Sequence, residues 1–365
     1  MRSFIVSAAA LLSALPAALA QTHTACNALN TTGCPNMPAL GGNATFNFND
    51  TLYPKVWTKK NQGDAVWGTK GAILTVARSG DSPQLTSNFY MLFGRFEAVL
   101  KTASGRGIIS SAILQSEVLD EIDWEWMGGN TTHTFTNYYG KGNTTVGNRG
   151  ADFPMANPQE DFHNYTLDWT KERTQWWLDG KMVRQLNFGD ALPGGKNYPQ
   201  TPMNIRIGVW SGGDAKNNHP DTVTWAGGPT DFSQGPFSMV LQSVYAKDYT
   251  SAKEYSWEGM DASGSWEKVK VIEGKSPVLQ EIEKPSGVKN RWNALSKTAQ
   301  IAIIASIAGF VVIIFCLIVF CCIRQRRAGR REFAANQAME DKEAAELLQF
   351  KAQQSSNGKF GYNRI

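Results

Sequence analysis

Three carboxylates alternate with large apolar side chains in the segment 120–126, which reads Asp-Glu-Ile-Asp-Trp-Glu-Trp. A period of two residues is the pattern of a β-strand, so Glu121, Asp123 and Glu125 should lie on one face of that strand. Like charges at this spacing raise the pKa of at least one of the carboxyl groups. Such an arrangement costs free energy, and proteins tolerate it mainly where catalysis requires it.

Two carboxyl groups with separated pKa values are what glycoside cleavage requires. One carboxylate stays ionised and attacks the sugar, whereas the other keeps its proton and donates it to the leaving oxygen. The middle acid, Asp123, fits the role of a group that holds the attacking carboxylate in place and adjusts its reactivity. The alternative is an acidic, solvated strand edge without a catalytic role, but such an edge would not need two Trp and an Ile packed behind it. The segment therefore predicts a glycosidase site.

A retaining mechanism adds a geometric requirement to this strand. Four residues along a straight strand separate Glu121 and Glu125 by roughly 13 Å at Cα. The two carboxyl groups of a retaining pair lie only about 5 to 5.5 Å apart. We therefore expect the strand to curve toward its acidic face, with both glutamate side chains leaning toward Asp123.

Short β patterns fill the sequence between Cys34 and about Trp266. They cover residues 71–78, 90–100, 107–114, 163–169, 174–178, 182–186, 204–210 and 237–245. The pair Asp179-Gly180 predicts a tight hairpin turn. Turn signals recur about every 8 to 12 residues and no long stretch has a helical period, so an all-β, antiparallel sandwich is expected. The abundance of Trp in this region favours a surface on which sugar rings stack.

The N-terminus has the pattern of a secretory signal peptide in residues 1–20. Arg2 precedes an apolar run, and the Ala-Leu-Ala of residues 18–20 places small side chains where signal peptidase cleaves. We expect the mature chain to begin at Gln21, in an oxidising compartment.

Two features of the following domain agree with secretion. Cys26 and Cys34 close a short loop and, in an oxidising compartment, predict a disulfide rather than a metal pair. Glycosylation sequons are also present, and we expect most of them to carry glycans. Their asparagines are Asn30, Asn43, Asn49, Asn130, Asn143 and Asn164.

The other end of the chain has the composition of a membrane anchor. Residues 301–323 form an uninterrupted apolar run without charge, and about 20 such residues span a bilayer. Five Arg follow within residues 324–331, so the positive-inside rule places residues 324–365 in the cytoplasm and the β domain outside. A glycolipid-anchor signal would end at its apolar tail, so a single span in the lipid is expected. Residues 267–300 are charged and mixed, and we interpret them as a stalk.

The charge distribution argues against a nucleic-acid partner. The formal net charge is +4, but residues 324–365 contain nine Lys and Arg against five Asp and Glu, so the preceding chain is neutral. A nucleic-acid-binding domain needs a basic face to meet phosphates. No metal or other cofactor is expected, because the four His are scattered and none lies at ligand spacing from acids.

The acidic strand resembles the E-x-D-x-E signature of the laminarinase-like retaining glycoside hydrolases of family 16. Segments similar to the flanking strands of that family are residues 94–97, 107–110, 161–169 and 176–180. The paired Cys26 and Cys34, together with residues 210–214 and 225–228, are similar to the fungal Crh-type cell-wall transglycosylases, which join chitin to β-glucan. The resemblance covers roughly residues 21–265, and we expect residues 21–266 to form the catalytic domain.

The resemblance implies a concanavalin-like β-jelly-roll with a sugar cleft and a retaining mechanism. In this sequence Glu121 would be the nucleophile, Asp123 its helper and Glu125 the acid and base. Contacts with the substrate are expected from Glu125, Arg206, Trp210, Thr222 and Trp225. The ordinary alternatives are strand packing for Trp210 and a surface charge for Arg206.

Three functions are compatible with these residues. The first is a transglycosylase at the cell surface that acts on the wall polymers chitin, β-1,3-glucan and β-1,6-glucan. The second is a hydrolytic endo-β-glucanase or chitinase, and the third is a catalytically silent sugar-binding module. The intact acids argue against the third, because binding alone needs aromatic residues and not clustered carboxylates. Ser211, which stands where relatives commonly have Pro, leaves the acceptor preference open.

Overall fold

The computed structural model describes residues 24–49, 53–145, 149–284, 292–293 and 295–357. The predicted signal peptide in residues 1–20 and the expected mature N-terminus lie outside these residues. The chain divides into two compact units, Met1–Lys284 and Pro285–Ile365. The first unit carries the acidic strand.

Within its described residues the first unit is built almost entirely of β-strands. They are β1 (Met37–Pro38), β2 (Asn43–Asn47), β3 (Trp57–Lys60), β4 (Asp64–Gly68), β5 (Gly71–Val76), β6 (Gln84–Met91), β7 (Gly94–Lys101), β8 (Ile108–Ser116), β9 (Glu121–Met127), β10 (His133–Tyr139), β11 (Ala151–Pro154), β12 (His163–Trp169), β13 (Arg173–Leu178), β14 (Lys181–Asn187), β15 (Met203–Ser211), β16 (Phe237–Asp248), β17 (Ala252–Ser256) and β18 (Lys270–Glu273). Two short helices accompany them, α1 (Pro220–Trp225) and α2 (Pro277–Ile282).

The strands form two large antiparallel sheets, as predicted. The seven-stranded sheet has the order β11-β10-β9-β8-β15-β6-β3. The eight-stranded sheet has the order β14-β13-β12-β7-β16-β5-β4, with β2 beside β16. A small sheet, β1-β17-β18, completes the unit. The predicted all-β sandwich is confirmed, and β9 lies inside the seven-stranded sheet with a neighbour on each side.

Aromatic side chains fill the space between the two large sheets. Trp124 and Trp126 of β9 lie parallel, with ring centroids 6.3 Å apart and an interplanar angle of 5°. Tyr165 of β12 meets the Trp126 ring edge-on at 4.3 Å. The abundance of Trp is therefore largely a property of the core and not of a sugar-binding surface. Five Trp are completely or almost completely buried, namely Trp57, Trp124, Trp126, Trp169 and Trp176.

The predicted strands agree closely with the structure where turns are strongly marked. The segment 163–169 is β12, and the turn at Asp179 and Gly180 has φ values of 48° and 78°. The predicted strand 90–100 is in fact the end of β6, a turn, and β7. Gly94 enables this turn, because it has a φ of 156° and a Cβ there would lie 2.3 Å from the carbonyl oxygen of Lys247.

The folded unit extends further than expected at its C-terminal end. Residues 267–300 were interpreted as a stalk, but β18 pairs with β17 and α2 packs on the unit. Ser276 caps α2 by accepting hydrogen bonds from Val278 and Leu279, and its hydroxyl donates to the Ala39 carbonyl at 2.6 Å. A four-residue strand and a six-residue helix are too short to produce a recognisable period, so the sequence pattern did not reveal them.

The predicted disulfide is present between Cys26 and Cys34, with a Cα to Cα distance of 5.7 Å. It closes the segment that precedes β1. Glycosylation at the six sequons stays a prediction, although Asn30, Asn43 and Asn130 all lie at the surface or near it.

In the second unit most of the described residues form one long helix, α3 (Lys297–Asn357). It contains the predicted span 301–323, and the mean hydropathy of its most apolar stretch is 3.2. By length and composition, α3 is the one helix among the described residues that could cross a membrane.

Replacing Trp126 by Ala should strongly destabilise the first unit. The indole is 1% exposed, so its removal leaves a cavity and should lower the free energy of unfolding by about 3–5 kcal/mol. Urea denaturation of secreted residues 21–284 measures this change. Met182→Ala is a matched control, because Met182 is 44% exposed and its loss should cost within about 0.5 kcal/mol. Equal effects of the two substitutions would contradict the described core.

Candidate active site

The two faces of β9 have different environments, as its alternation predicts. Ile122, Trp124 and Trp126 point into the core and are at most 1% exposed. The carboxyl groups of Glu121, Asp123 and Glu125 lie on the opposite face. Packing on the aromatic side therefore fixes the position of the acids on the other side.

Strand register determines which side chains surround each acid, because residues directly opposite in a sheet share a face. Each acid has one partner on β8 and one on β10. Glu121 is opposite Gln115 and Tyr139, Asp123 is opposite Ile113 and Asn137, and Glu125 is opposite Ser111 and Phe135. We call these six partners and the three acids the cleft face.

Asp120 anchors the strand immediately before Glu121. Its carboxylate is completely buried. It accepts hydrogen bonds from the Thr201 hydroxyl at 2.7 Å, from the Gln200 backbone N–H at 2.9 Å and from the Lys141 backbone N–H at 2.8 Å. One carboxylate thus joins the turn before β9 to the segment after β10 and to the segment before β15.

Asp123 is the most enclosed of the three acids, with 1% of its surface exposed. No donor among the described residues bonds either of its carboxyl oxygens. Burial raises its pKa well above the usual range, and the nearby charges of Glu121 and Glu125 raise it further. A protonated Asp123 can donate a hydrogen bond to Glu121, which suits the helper role implied by the sequence.

Glu125 is held in its protonated form at neutral pH. Burial, followed by the charge of Glu121, raises its pKa to about 8. Its side chain nevertheless keeps partial exposure on the cleft face. A carboxyl group that is protonated and accessible is what a general acid requires. The raised pKa of Glu125 is compatible with the acid and base role, which stays a prediction.

Amide and guanidinium groups cover one side of Glu121. Gln115 donates to the Glu121 carboxylate and accepts from the Arg206 guanidinium. Arg206 also donates to Asn204 at 2.9 Å. With 3% of its surface exposed, Arg206 is neither a surface charge nor an open part of the cleft. It reaches Glu121 through Gln115, and a direct sugar contact stays a prediction.

A second polar group lies on the other side of the acids and was missed by the sequence reasoning. Tyr139 is opposite Glu121, and its hydroxyl accepts a hydrogen bond from Asn137 at 3.1 Å. The Arg149 guanidinium lies 3.9 Å from the centre of the Tyr139 ring. The alternation in residues 133–139 is a weak signal for β10, but its pairing with β9 is not visible in the sequence.

The predicted aromatic residues come together beside Glu125. The rings of Trp210 and Trp225 stack with centroids 6.4 Å apart and an interplanar angle of 24°. Trp225 also meets Phe135, the register partner of Glu125, at 6.1 Å. We call these three residues the aromatic row. Thr222 lies one helical turn before Trp225 in α1, so both side chains leave the helix on the same side.

A polar depression of about 570 Å³ continues from Trp210. Its lining is rich in amide and hydroxyl side chains, which are suitable partners for sugar hydroxyl groups. They include Asn61, Gln62, Ser79, Ser82, Ser211 and Asn217. The open side of the site therefore lies next to the aromatic row.

Comparison with known proteins agrees with this geometry. The sequence profile of "Glycosyl hydrolases family 16" matches residues 49–227. A Crh-like protein of Arthroderma benhamiae is 46% identical over 318 residues, which cover 87% of this chain and 86% of the relative. Crh-like protein 3 of Aspergillus fumigatus is 42% identical over 349 residues, which cover 95% of each.

A solved structure shares both the sequence and the fold. The Crh5 transglycosylase in complex with NAG is 44% identical, with a TM-score of 0.64, and the match covers 67% of this chain and 99% of that one. The fold, the acidic strand and these matches define a retaining glycoside hydrolase or transglycosylase. The chain belongs to the Crh-like group of glycosyl hydrolase family 16.

The pH dependence of activity should follow Glu125. Because its pKa is raised to about 8, the proton needed by the leaving sugar is present at neutral pH and is lost as the pH rises through that value. We expect kcat/KM to fall about tenfold per pH unit above pH ~8. Steady-state rates on an oligosaccharide between pH 4 and 10 test this, and an alkaline limb centred below about pH 6 would contradict it.

Asp123→Asn should raise the stability of the folded protein and lower its catalytic activity. The unfolded chain releases this proton near pH ~3.9, whereas burial keeps it bound in the folded protein to higher pH. The free energy of unfolding of the wild type therefore decreases as the pH rises above about 4, whereas the uncharged amide of the variant does not cause this decrease. The melting temperature of the variant should exceed that of wild type by more at pH 7 than at pH 4, while kcat falls by about 10²-fold. If the difference in melting temperature between the variant and the wild type decreased with rising pH, Asp123 would not be protonated in the folded protein.

Proposed function

We propose that this protein is a wall-remodelling transglycosylase that cuts chitin or β-glucan chains and joins them to β-glucan. The observation that carries the proposal is the division of roles on β9. Glu125 holds a proton at neutral pH, and Asp123 lies between it and Glu121 along the strand. The aromatic row beside Glu125 adds a surface for a second sugar chain.

In the first step Glu121 attacks the anomeric carbon of the donor sugar. The bond between that carbon and the glycosidic oxygen breaks as Glu125 transfers its proton to this oxygen. The product is a glycosyl ester on Glu121, with Glu125 ionised. Gln115, which donates to Glu121, keeps the attacking carboxylate oriented. Asp123 stabilises the leaving carboxylate when the ester later breaks.

In the second step an acceptor hydroxyl replaces the departed sugar. Glu125 removes the hydroxyl proton, the acceptor oxygen attacks the anomeric carbon, and the ester bond to Glu121 breaks. Water in the same position would produce hydrolysis. An aromatic face binds the apolar surface of a sugar ring and does not bind water, so the aromatic row favours transfer.

The choice of substrate rests on the Crh-like relationship and on the lining of the site. The related Crh5 transglycosylase was solved with NAG, the unit of chitin. The depression beside Trp210 offers amides and hydroxyls rather than a cluster of cations, which suits neutral polysaccharides such as chitin, β-1,3-glucan and β-1,6-glucan.

The location we propose is the cell surface. Residues 1–20 would direct secretion, and α3 would hold the enzyme in the lipid with the catalytic domain outside. The Arg residues that follow the apolar run would attract anionic lipid headgroups on the cytoplasmic side. The disulfide between Cys26 and Cys34 is compatible with this oxidising location.

Transfer can be tested directly with the purified protein. Chitin oligomers are supplied with a fluorescent β-1,3-glucan acceptor, and products are separated by size. We expect label in hybrids longer than the acceptor. Glu121→Gln should lower this activity by at least about 10³-fold, because an amide cannot form the glycosyl ester.

The alternative outcomes separate the remaining functions. Shortened oligomers without labelled hybrids would identify a hydrolase and refute transfer to glucan. Binding without cleavage would identify a sugar-binding module. Substantial turnover by Glu121→Gln, at a folded state verified by its melting temperature, would remove Glu121 as the nucleophile. Met182→Ala serves as the control, because Met182 lies exposed on β14.

A further inference from the structure

Arg149 is a cation beside the cleft face that has no role in the two proposed reaction steps. It lies between β10 and β11, with its guanidinium 3.9 Å from the centre of the Tyr139 ring. It also donates hydrogen bonds to the Tyr138 carbonyl at 3.0 Å and to the Thr144 carbonyl at 3.4 Å. A guanidinium with three such partners is held in one orientation over the ring.

The backbone at Arg149 is also fixed, by the eight-stranded sheet. Arg184 of β14 donates to the Arg149 carbonyl at 2.5 Å and to the Thr136 carbonyl at 3.0 Å. The next residue, Gly150, packs so closely on Phe135 that a Cβ would lie 2.2 Å from the ring. Arg149 is therefore built into the structure and differs from a mobile surface arginine.

Arg149 faces the acids through Tyr139. This tyrosine is the register partner of Glu121, and its hydroxyl receives the amide hydrogen bond of Asn137, the register partner of Asp123. The positive charge of Arg149 favours the ionised form of Asp123 and so lowers its pKa, against the larger effect of burial. The charged or titratable groups around Asp123 are Glu121, Glu125, Tyr139, Arg149 and Arg184.

We propose that Arg149 is a positioning residue of this active site, which orients the Tyr139 phenol beside Glu121 and supplies the positive charge that balances the Glu121 and Asp123 pair. The proposal rests on the proposed roles of these two acids. Arg206 performs the corresponding task on the β8 side through Gln115. The pair of acids is thus placed between two arginines, neither of which needs to contact the sugar.

Removal of the charge has a defined consequence for catalysis. Without Arg149, less positive charge opposes protonation of the carboxyl groups on the cleft face. Glu121 must be ionised to attack, so the acid limb of the pH profile should move to higher pH. Loss of the stacked guanidinium should also misorient Tyr139 and lower kcat, while KM stays nearly unchanged because no sugar contact is lost.

The test uses the full chain with three arginine variants and measures transfer rates from pH 4 to 9. For Arg149→Gln we expect kcat to fall about tenfold with KM within about twofold, and the acid limb to rise by about half a pH unit or more. Arg149→Lys keeps the charge and should leave the limb in place. Arg173→Gln is the matched control, because its guanidinium bonds Asp168 at 2.7 Å on the eight-stranded sheet, away from the cleft face.

A second arm asks whether Arg149 acts through Tyr139. Tyr139→Phe keeps the ring and removes the hydroxyl, and its effect on kcat should be less than additive with that of Arg149→Gln, because the two residues form one unit. Strictly additive effects would overturn the proposal. A folded fraction that is the same at every pH scales the rates without moving the limb, so misfolding of that kind leaves the comparison valid.

Other outcomes have equally direct meanings. An unmoved acid limb in Arg149→Gln, or a rise confined to KM, would overturn the positioning role in favour of packing or sugar binding. An inactive wild type, or an active Glu121→Gln, would instead refute the proposed function. Activity lost in Glu121→Gln together with an unmoved limb in Arg149→Gln would refute this inference alone.

Discussion

The placement of three carboxyl groups on one face of β9 is the constraint on which the rest of the site depends. Burial and repulsion from the neighbouring acids both raise the pKa of Asp123 and of Glu125, and the strand by itself offers no compensation. The compensation comes from outside β9. Gln115 and Arg206 contribute on one side, and Tyr139 with Arg149 contributes on the other. The aromatic packing behind the strand prevents the acids from moving apart.

The two ends of the acid set have different surroundings, and this difference matches the two halves of the reaction. The Glu121 end is enclosed by the Gln115 amide and the Arg206 guanidinium, which hold the carboxyl group in place. The Glu125 end opens toward the aromatic row, where a sugar can arrive and leave. Asp123 separates these regions and is more deeply buried than either glutamate. The strand thus combines a rigid polar region with an accessible aromatic region over a few residues.

Local patterns were sufficient to predict the parts of the protein that depend on neighbouring residues in the chain. The alternation at 121–126 predicted the two faces of β9, and the short spacing of Cys26 and Cys34 predicted their disulfide. Features that depend on pairing between distant segments were not predictable. Tyr139 and Arg149 reach the acids only through the register of β10, and Arg206 is buried only because Asn204 and Gln115 enclose it. The expected curvature of β9 stays a prediction.

Arg184 connects the eight-stranded sheet to the edge of the active site through the Arg149 carbonyl. Its guanidinium also lies 4.7 Å from the Trp176 ring, whose indole N–H bonds the backbone of Asp123. The sheet that carries none of the acids therefore supports the backbone of Asp123 and of Arg149. For protein engineering this means that substitutions intended to adjust the enzyme can be sought on the eight-stranded sheet as well as on the cleft face. Substitutions of Trp176 or Arg184, unlike those at exposed positions of the same strands, should alter turnover without changing the surface that recognises the polysaccharide.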